Sequence, residues 1–157
     1  MESLLTTIES QELNKFGKLE LTASQVYLFL TNRMKSLGYF GAEKFFANES
    51  KDERKHYAKH EDFRNKMNDE ISVESLEAVK LDIKDIKEAL EFAYNMEKEL
   101  MEEYEKSARR SDLSLKVVLL LQEFVEIQVD AVGEYGDLLN RLALTDNMLL
   151  FDIELGK

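Results

Sequence analysis

Residues 42–67 read AEKFFANESKDERKHYAKHEDFRNKM. Taken at every third or fourth position they give one stripe: Ala42, Phe46, Glu49, Glu53, His56, His60, Phe63 and Met67. That spacing is one face of an α-helix. The ends of the stripe are apolar, as a core-facing surface requires, yet its middle carries two carboxylates and two imidazoles. An unpaired charge on a buried face is costly, so these groups need partners. Glu53 and His56 stand three apart and reach the same point beside the helix. A hard cation held by oxygen and imidazole would satisfy both.

The flanking segments supply further helices. Glu9 to Lys35 reads as a first long helix with the stripe Leu13, Phe16, Glu20, Ala23, Tyr27, Leu30 and Met34, on which Glu20 is the only charge. SLGYFG, residues 36–41, is a short turn with two glycines. Such a connection makes the first two helices antiparallel neighbours. Asp82 to Arg109 is a third helix, with Ile86, Leu90, Ala93, Glu97, Leu100 and Tyr104 on its stripe. Ser111 and Asp112 suit a turn and N-cap. Leu113 to Leu142 is a fourth helix, with Val117, Leu121, Phe124, Gln128, Ala131, Tyr135, Leu138 and Leu142 facing inward. Thr145, Asp146 and Asn147 cap a short last helix, Met148 to Leu155, whose sequence MLLFDIEL must pack on the bundle or on another subunit.

Residues 68–81, NDEISVESLEAVKL, have no clean helical stripe and several β-branched residues. Fully extended they reach about 46–50 Å, and the preceding helix is only ~40 Å long. The segment can therefore run the length of the bundle and leave the second and third helices parallel. An up-and-down path with partial helix here is the other solution. The expected fold is all-α: one domain over 1–157, with a four-helix bundle at about 9–142 and a fifth short helix at about 147–155.

Composition agrees. Proline is absent and glycine occurs six times in 157 residues, which suits long helices with few turns. The net charge of −11 speaks against nucleic acid as a partner and favours attraction of cations. The lack of cysteine removes disulfides, thiolate zinc sites and cysteine-held iron–sulfur clusters. Glu2, Glu9, Glu12 and Glu20 interrupt any secretory leader pattern. No apolar run reaches the ~18 residues of a membrane span. A cytoplasmic protein without a membrane partner is expected.

Measured from the two turns, Glu20, Glu53, Glu97 and Gln128 fall at similar heights on four helices, with His56 beside Glu53. Three carboxylates and an imidazole suit iron, manganese or zinc better than Cu(I). Two divalent ions fit the charge better than one, with Glu53 between them.

At these residues the chain resembles a non-haem ferritin, over about Glu12 to Gly156. The matching pieces are LELTASQVY (19–27), NESKDERKHYAKH (48–60), AYNMEKEL (93–100) and EFVEIQVDAVGEYGDLLNRL (123–142), with DNMLLFDIELGK (146–157) similar to the C-terminal helix. The resemblance implies a ferritin-like four-helix bundle with a long crossover between the second and third helices. It implies that Glu20, Glu53 and His56 hold a first iron, that Glu53 bridges to a second, and that Glu97 completes it. Tyr27 and Gln128 match the tyrosine and glutamine of ferroxidase centres. The implied activity is that of a ferroxidase. It oxidises Fe(II), two ions per subunit, with dioxygen or hydrogen peroxide, and stores ferric mineral inside a shell of 24 like subunits.

Several positions depart from the family pattern. The Glu-x-x-His motif of di-iron carboxylate bundles occurs on one helix only. Arg54 stands where bacterioferritins place a haem-binding methionine, so no haem is expected. Ala131 replaces a common third-site glutamate, Ile127 a common glutamate before Gln128, and Val118 and Leu121 replace acidic channel residues of animal ferritins. Glu49, one turn before Glu53, is a candidate ligand for an additional iron. His60 reads as a core histidine hydrogen-bonded to a neighbour. Asp130 and the run Glu102, Glu103, Glu105 read as solvated, and Met34, Met67 and Met101 as packing. A di-metal oxidase without storage and a metal-free helical binding module are the alternative functions.

Overall fold

The computed structural model describes residues 1–157, with five helices and no strand. They are α1 (Thr7–Leu37), α2 (Phe40–Lys66), α3 (Ile86–Ala108), α4 (Leu115–Leu144) and α5 (Met148–Leu155). Local chemistry sets the ends. Thr6 and Glu9 form a reciprocal capping box at the start of α1, which satisfies two orphan N–H groups. Gly38, at φ 87°, closes α1 in the left-handed conformation that glycine adopts without strain. Asp85 and Asn147 cap α3 and α5 by accepting from Glu88 N and Leu150 N.

Two ends are capped from elsewhere. The N-cap of α4 is Ser114, beyond the Ser111–Asp112 turn, and it donates its own N–H and hydroxyl to Glu9 of α1. The Arg110 guanidinium takes Asp112 instead, so that carboxylate is committed before the helix begins. The N-cap of α2, Tyr39, offers no side-chain hydrogen bond. Asp152 of α5 accepts from Gly41 N and Ala42 N in its place.

The segment between α2 and α3 is an extended crossover. Leu4 N donates to Met67 O at its start, beside the beginning of α1. Arg33 Nε donates to Ile83 O near its finish, beside the end of α1. The crossover therefore runs the length of α1 and makes α2 and α3 parallel, as its reach allowed. Buried Arg64 ties the departing chain to Asn14, Asp69 and the carbonyl of Glu70.

The interior is two apolar clusters with a polar layer between them. One gathers Leu30, Met34, Phe46, Leu90 and Tyr135 near the α5 end. The other gathers Leu13, Phe16, Tyr104, Leu121 and Phe124 at the opposite end. Each fully buried Leu, Ile or Phe contributes about 1.5–3 kcal/mol, so the clusters hold the bundle and fix the layer between. Leu121 belongs to this second core cluster. The exposed apolar residues at the start of α4 are Leu115 and Leu119. No helix is long and apolar enough to cross a membrane.

Candidate metal centre

The polar layer is built on a close approach of α1 and α2. Ser24 and Ser50 are both buried, and each hydroxyl donates to the other's carbonyl, at 3.1 and 2.9 Å. Small side chains let the backbones come together there. Glu20 and Glu53 lie one helical turn from this contact, so their carboxylates converge.

Glu20, Glu53 and His56 form one cluster, with one ligand atom from each all within 4.8 Å of one another. His56 Nδ1 stands 3.2 Å from Glu53 Oε2 and 3.5 Å from Glu20 Oε2. Glu20 is fully buried and Glu53 nearly so, while His56 is half-buried at the edge. Glu97 flanks Glu53 from α3. Both oxygens of Glu97 are held: Tyr27 OH donates to Oε1 at 2.5 Å and Gln128 Nε2 to Oε2 at 2.6 Å. One Glu20 oxygen is also held, since Tyr104 OH donates to Oε1 at 2.6 Å. The other, Oε2, is buried without a hydrogen-bond partner, as is Gln128 Oε1.

Crowding sets the protonation. Burial, then contact with Glu20 and Glu97, pushes Glu53 well above the ordinary carboxylate range. Burial also pushes Glu20 upward, but its close contacts with His56 and Glu53 outweigh it and hold Glu20 below that range. Two carboxylates this close cannot both ionise cheaply, and Glu53 keeps the proton. His56 is raised: burial opposes its charge, and contact with Glu20 more than offsets this. Burial keeps Tyr27 and Tyr104 protonated, far above their usual range.

This donor set fits divalent cations. Glu20, Glu53 and His56 converge, and one buried Glu20 oxygen lacks a hydrogen-bond partner; Glu97 touches Glu53 but stands outside this cluster, with both oxygens taken by Tyr27 and Gln128. A cation would remove the need for the Glu53 proton and supply the charge the layer lacks.

Glu49 lies outside the cluster. It accepts from Tyr135 OH at 3.1 Å, and burial followed by the charge of Glu134 raises it to about 7. Asp130 is exposed and Ala131 half-buried. His60 is buried, with Nε2 2.8 Å from Tyr104 OH and its ring stacked on Phe124. Burial lowers the His60 imidazole to about 4.

Two tyrosines join the site that the charge pattern did not single out. Tyr104 holds Glu20, and Tyr135 stacks on Tyr27 while donating to Glu49. Both stood on inward stripes. The available signal was that a buried tyrosine hydroxyl needs a partner, and the nearest polar stripe residues were the carboxylates.

Comparison with known proteins places this layer in context. The chain is similar to a ferritin of Pacifastacus leniusculus, 29% identical over 94% of this chain and 87% of that one. Its fold is similar to an open-pore ferritin from the hyperthermophilic archaeon Archaeoglobus fulgidus, with a TM-score of 0.90 at 19% identity, over 99% and 98% of the two chains. An engineered closed form of the Archaeoglobus fulgidus ferritin gives a TM-score of 0.89 at 21% identity, over 97% and 96%. The ferritin-like domain family matches residues 10–145, most of the chain and every residue of the polar layer, and the protein belongs to that family.

Proposed function

We propose that this ferritin-family chain oxidises ferrous iron at the layer of Glu20, Glu53, His56 and Glu97 and stores the ferric product as mineral within a shell of identical subunits, 24 in the family's usual assembly. The observation that carries this reading is the position of Glu53. It touches two other buried carboxylates, Glu20 and Glu97, and burial together with those contacts pushes it well above the ordinary carboxylate range.

Iron(II) is the substrate. Glu20 and His56 offer ligand atoms on one side of Glu53 and Glu97 on the other, so two ions can be held with Glu53 shared. Two such ions pass two electrons to one dioxygen, which takes up two protons to give hydrogen peroxide and leaves two ferric ions. Hydrogen peroxide, as oxidant, takes the same two electrons with two protons and leaves as two water molecules. The carboxylates favour the higher charge of Fe(III), and oxygen ligands exchange readily enough for the product to leave. Tyr27 and Gln128 hold both oxygens of Glu97 and fix its orientation. The net charge of −11 raises the local cation concentration. The cytoplasm is the compartment assigned to this storage role.

The test is addition of Fe(II) in air. The wild-type protein should give a ferric absorbance rise much faster than buffer, and Glu53→Ala should lose the fast phase. Equal rates for the two proteins would overturn the assignment. Electron microscopy of the iron-loaded protein reads the shell and its mineral.

A further inference from the structure

We propose that His60 and Tyr104 are a positioning pair that commits one oxygen of Glu20 to a hydrogen bond and leaves only the other for a cation. This deepens the function proposed above and rests on that reading of the centre as a metal site.

The hydrogens dictate the arrangement. Tyr104 has a single O–H, with Glu20 Oε1 at 2.6 Å and His60 Nε2 at 2.8 Å. The hydroxyl donates that hydrogen to Glu20 Oε1, the shorter of the two contacts, so His60 must present Nε2–H to the tyrosine oxygen. In this tautomer Nδ1 is a bare acceptor, and Nδ1 is a buried atom without a partner. It belongs to a ring lining a cavity of ≈ 10 Å³ under the crossover, beside Tyr57, whose hydroxyl is also unpartnered. That volume takes one water. The opposite tautomer would bury a donor on Nδ1 and make Nε2 compete with Glu20 for the tyrosine hydrogen.

The pair is held rigidly. His60 stacks on Phe124 at 4.1 Å, and Tyr104 packs on Phe16 at 4.1 Å and on Phe124 at 5.0 Å. Both rings are at most 1% exposed. Glu20 is thus a one-oxygen donor through Oε2, the oxygen 3.5 Å from His56 Nδ1. Partners behind a ligand that fix its orientation are a general means of tuning a metal site.

The chain has only two histidines, which makes the tautomer readable. Solid-state ¹⁵N NMR of histidine-labelled, metal-free protein should show His60 protonated at Nε2 and bare at Nδ1. A proton on Nδ1 would overturn the proposal. Anaerobic Co(II) titration then reads the ligand geometry through visible absorption. Tyr104→Phe, which keeps the ring, should retain Co(II) binding but shift the spectrum toward the weaker bands of a higher-coordinate ion, as Glu20 chelates with both oxygens. His60→Leu should shift the same way, and His60→Gln, whose amide N–H can donate to Tyr104, should restore the wild-type spectrum. If the wild-type protein binds no Co(II), or Glu53→Ala binds it equally, the metal-centre reading itself fails. If the wild type binds and both Tyr104→Phe and His60→Leu leave its spectrum unchanged, only the positioning pair fails.

Discussion

Asp152 caps a helix to which it does not belong. Its two carboxylate oxygens accept from Ala42 N at 2.7 Å and Gly41 N at 3.1 Å, so α5 supplies the N-terminal cap that Tyr39 does not give α2. The negative charge also sits at the positive end of the α2 dipole. Asp152→Ala should cost about 1–2 kcal/mol, the range for loss of a helix cap. Hydrogen exchange should speed up at Gly41 and Ala42 and through α5 together. Gly41→Ala should be worse, because a Cβ there would stand 1.8 Å from the carbonyl oxygen of Asp152. Unchanged exchange in α5 after either substitution would show that α5 docks by its apolar face alone.

Glu53 is held at a cost to the metal-free fold. Burial and its two carboxylate neighbours raise its pKa, so a neutral side chain of the same shape should relieve the crowding. Glu53→Gln is expected to raise the melting temperature of the metal-free protein while removing rapid iron oxidation. This opposition of stability and function is common where a site gathers like charges. A lower melting temperature for Glu53→Gln, measured by calorimetry without metal, would show that the glutamate stabilises the layer.

Glu49 gives the metal-free protein a component of stability that falls as pH rises. Its folded pKa is about 7 against an ordinary 4.5, with burial the first cause and Glu134 the second. A raised carboxylate pKa means that the folded state holds a proton the unfolded state has released. The stabilisation is fully present below about pH 4.5 and is lost as pH rises toward 7. Glu53 is shifted in the same direction and adds to the slope. His60, lowered by burial from 6.5 to about 4, works in the opposite sense over much of this range, so the Glu49 part is read as a difference: in denaturant titrations between pH 4.5 and 7, Glu49→Gln should lose less stability, or gain more, with rising pH than the wild type. An identical slope in the variant would remove Glu49 as a cause.

The helices and their inward faces were legible because every stripe repeats at three and four, a period only a helix satisfies. The crossover was legible as a possibility of length alone. What fixes it is tertiary: Leu4 on Met67 and Arg33 on Ile83 tie its two ends to opposite ends of α1. The charged members of the polar layer stood out because a carboxylate on an apolar stripe violates the cost of burial. Tyr104 and Tyr135 violated nothing, since an aromatic ring suits a core, and only the packed structure shows where their hydroxyls go. The α4 cap was misplaced for a similar reason: Ser111 and Asp112 are good caps locally, but Arg110 draws Asp112 away and Glu9 receives Ser114.

Tyr27 offers the last test of how the layer is held together. Its hydroxyl donates to Glu97 Oε1 at 2.5 Å, and Gln128 donates to the other oxygen. Tyr27→Phe keeps the ring stacked on Tyr135 and Phe46 but leaves a buried carboxylate oxygen without its donor. Such an orphaned acceptor costs about 1–3 kcal/mol, more where it is charged. The metal-free variant should therefore melt lower. A divalent cation bound to Glu97 supplies the missing positive partner, so Co(II) should restore more stability to Tyr27→Phe than to the wild type. Linkage makes this necessary: if metal replaces part of what the hydroxyl gave, the metal-free state loses more than the bound one. If Co(II) stabilises both proteins equally, the Tyr27 hydroxyl and the cation act on different oxygens without communication, and Glu97 is not a ligand on that side.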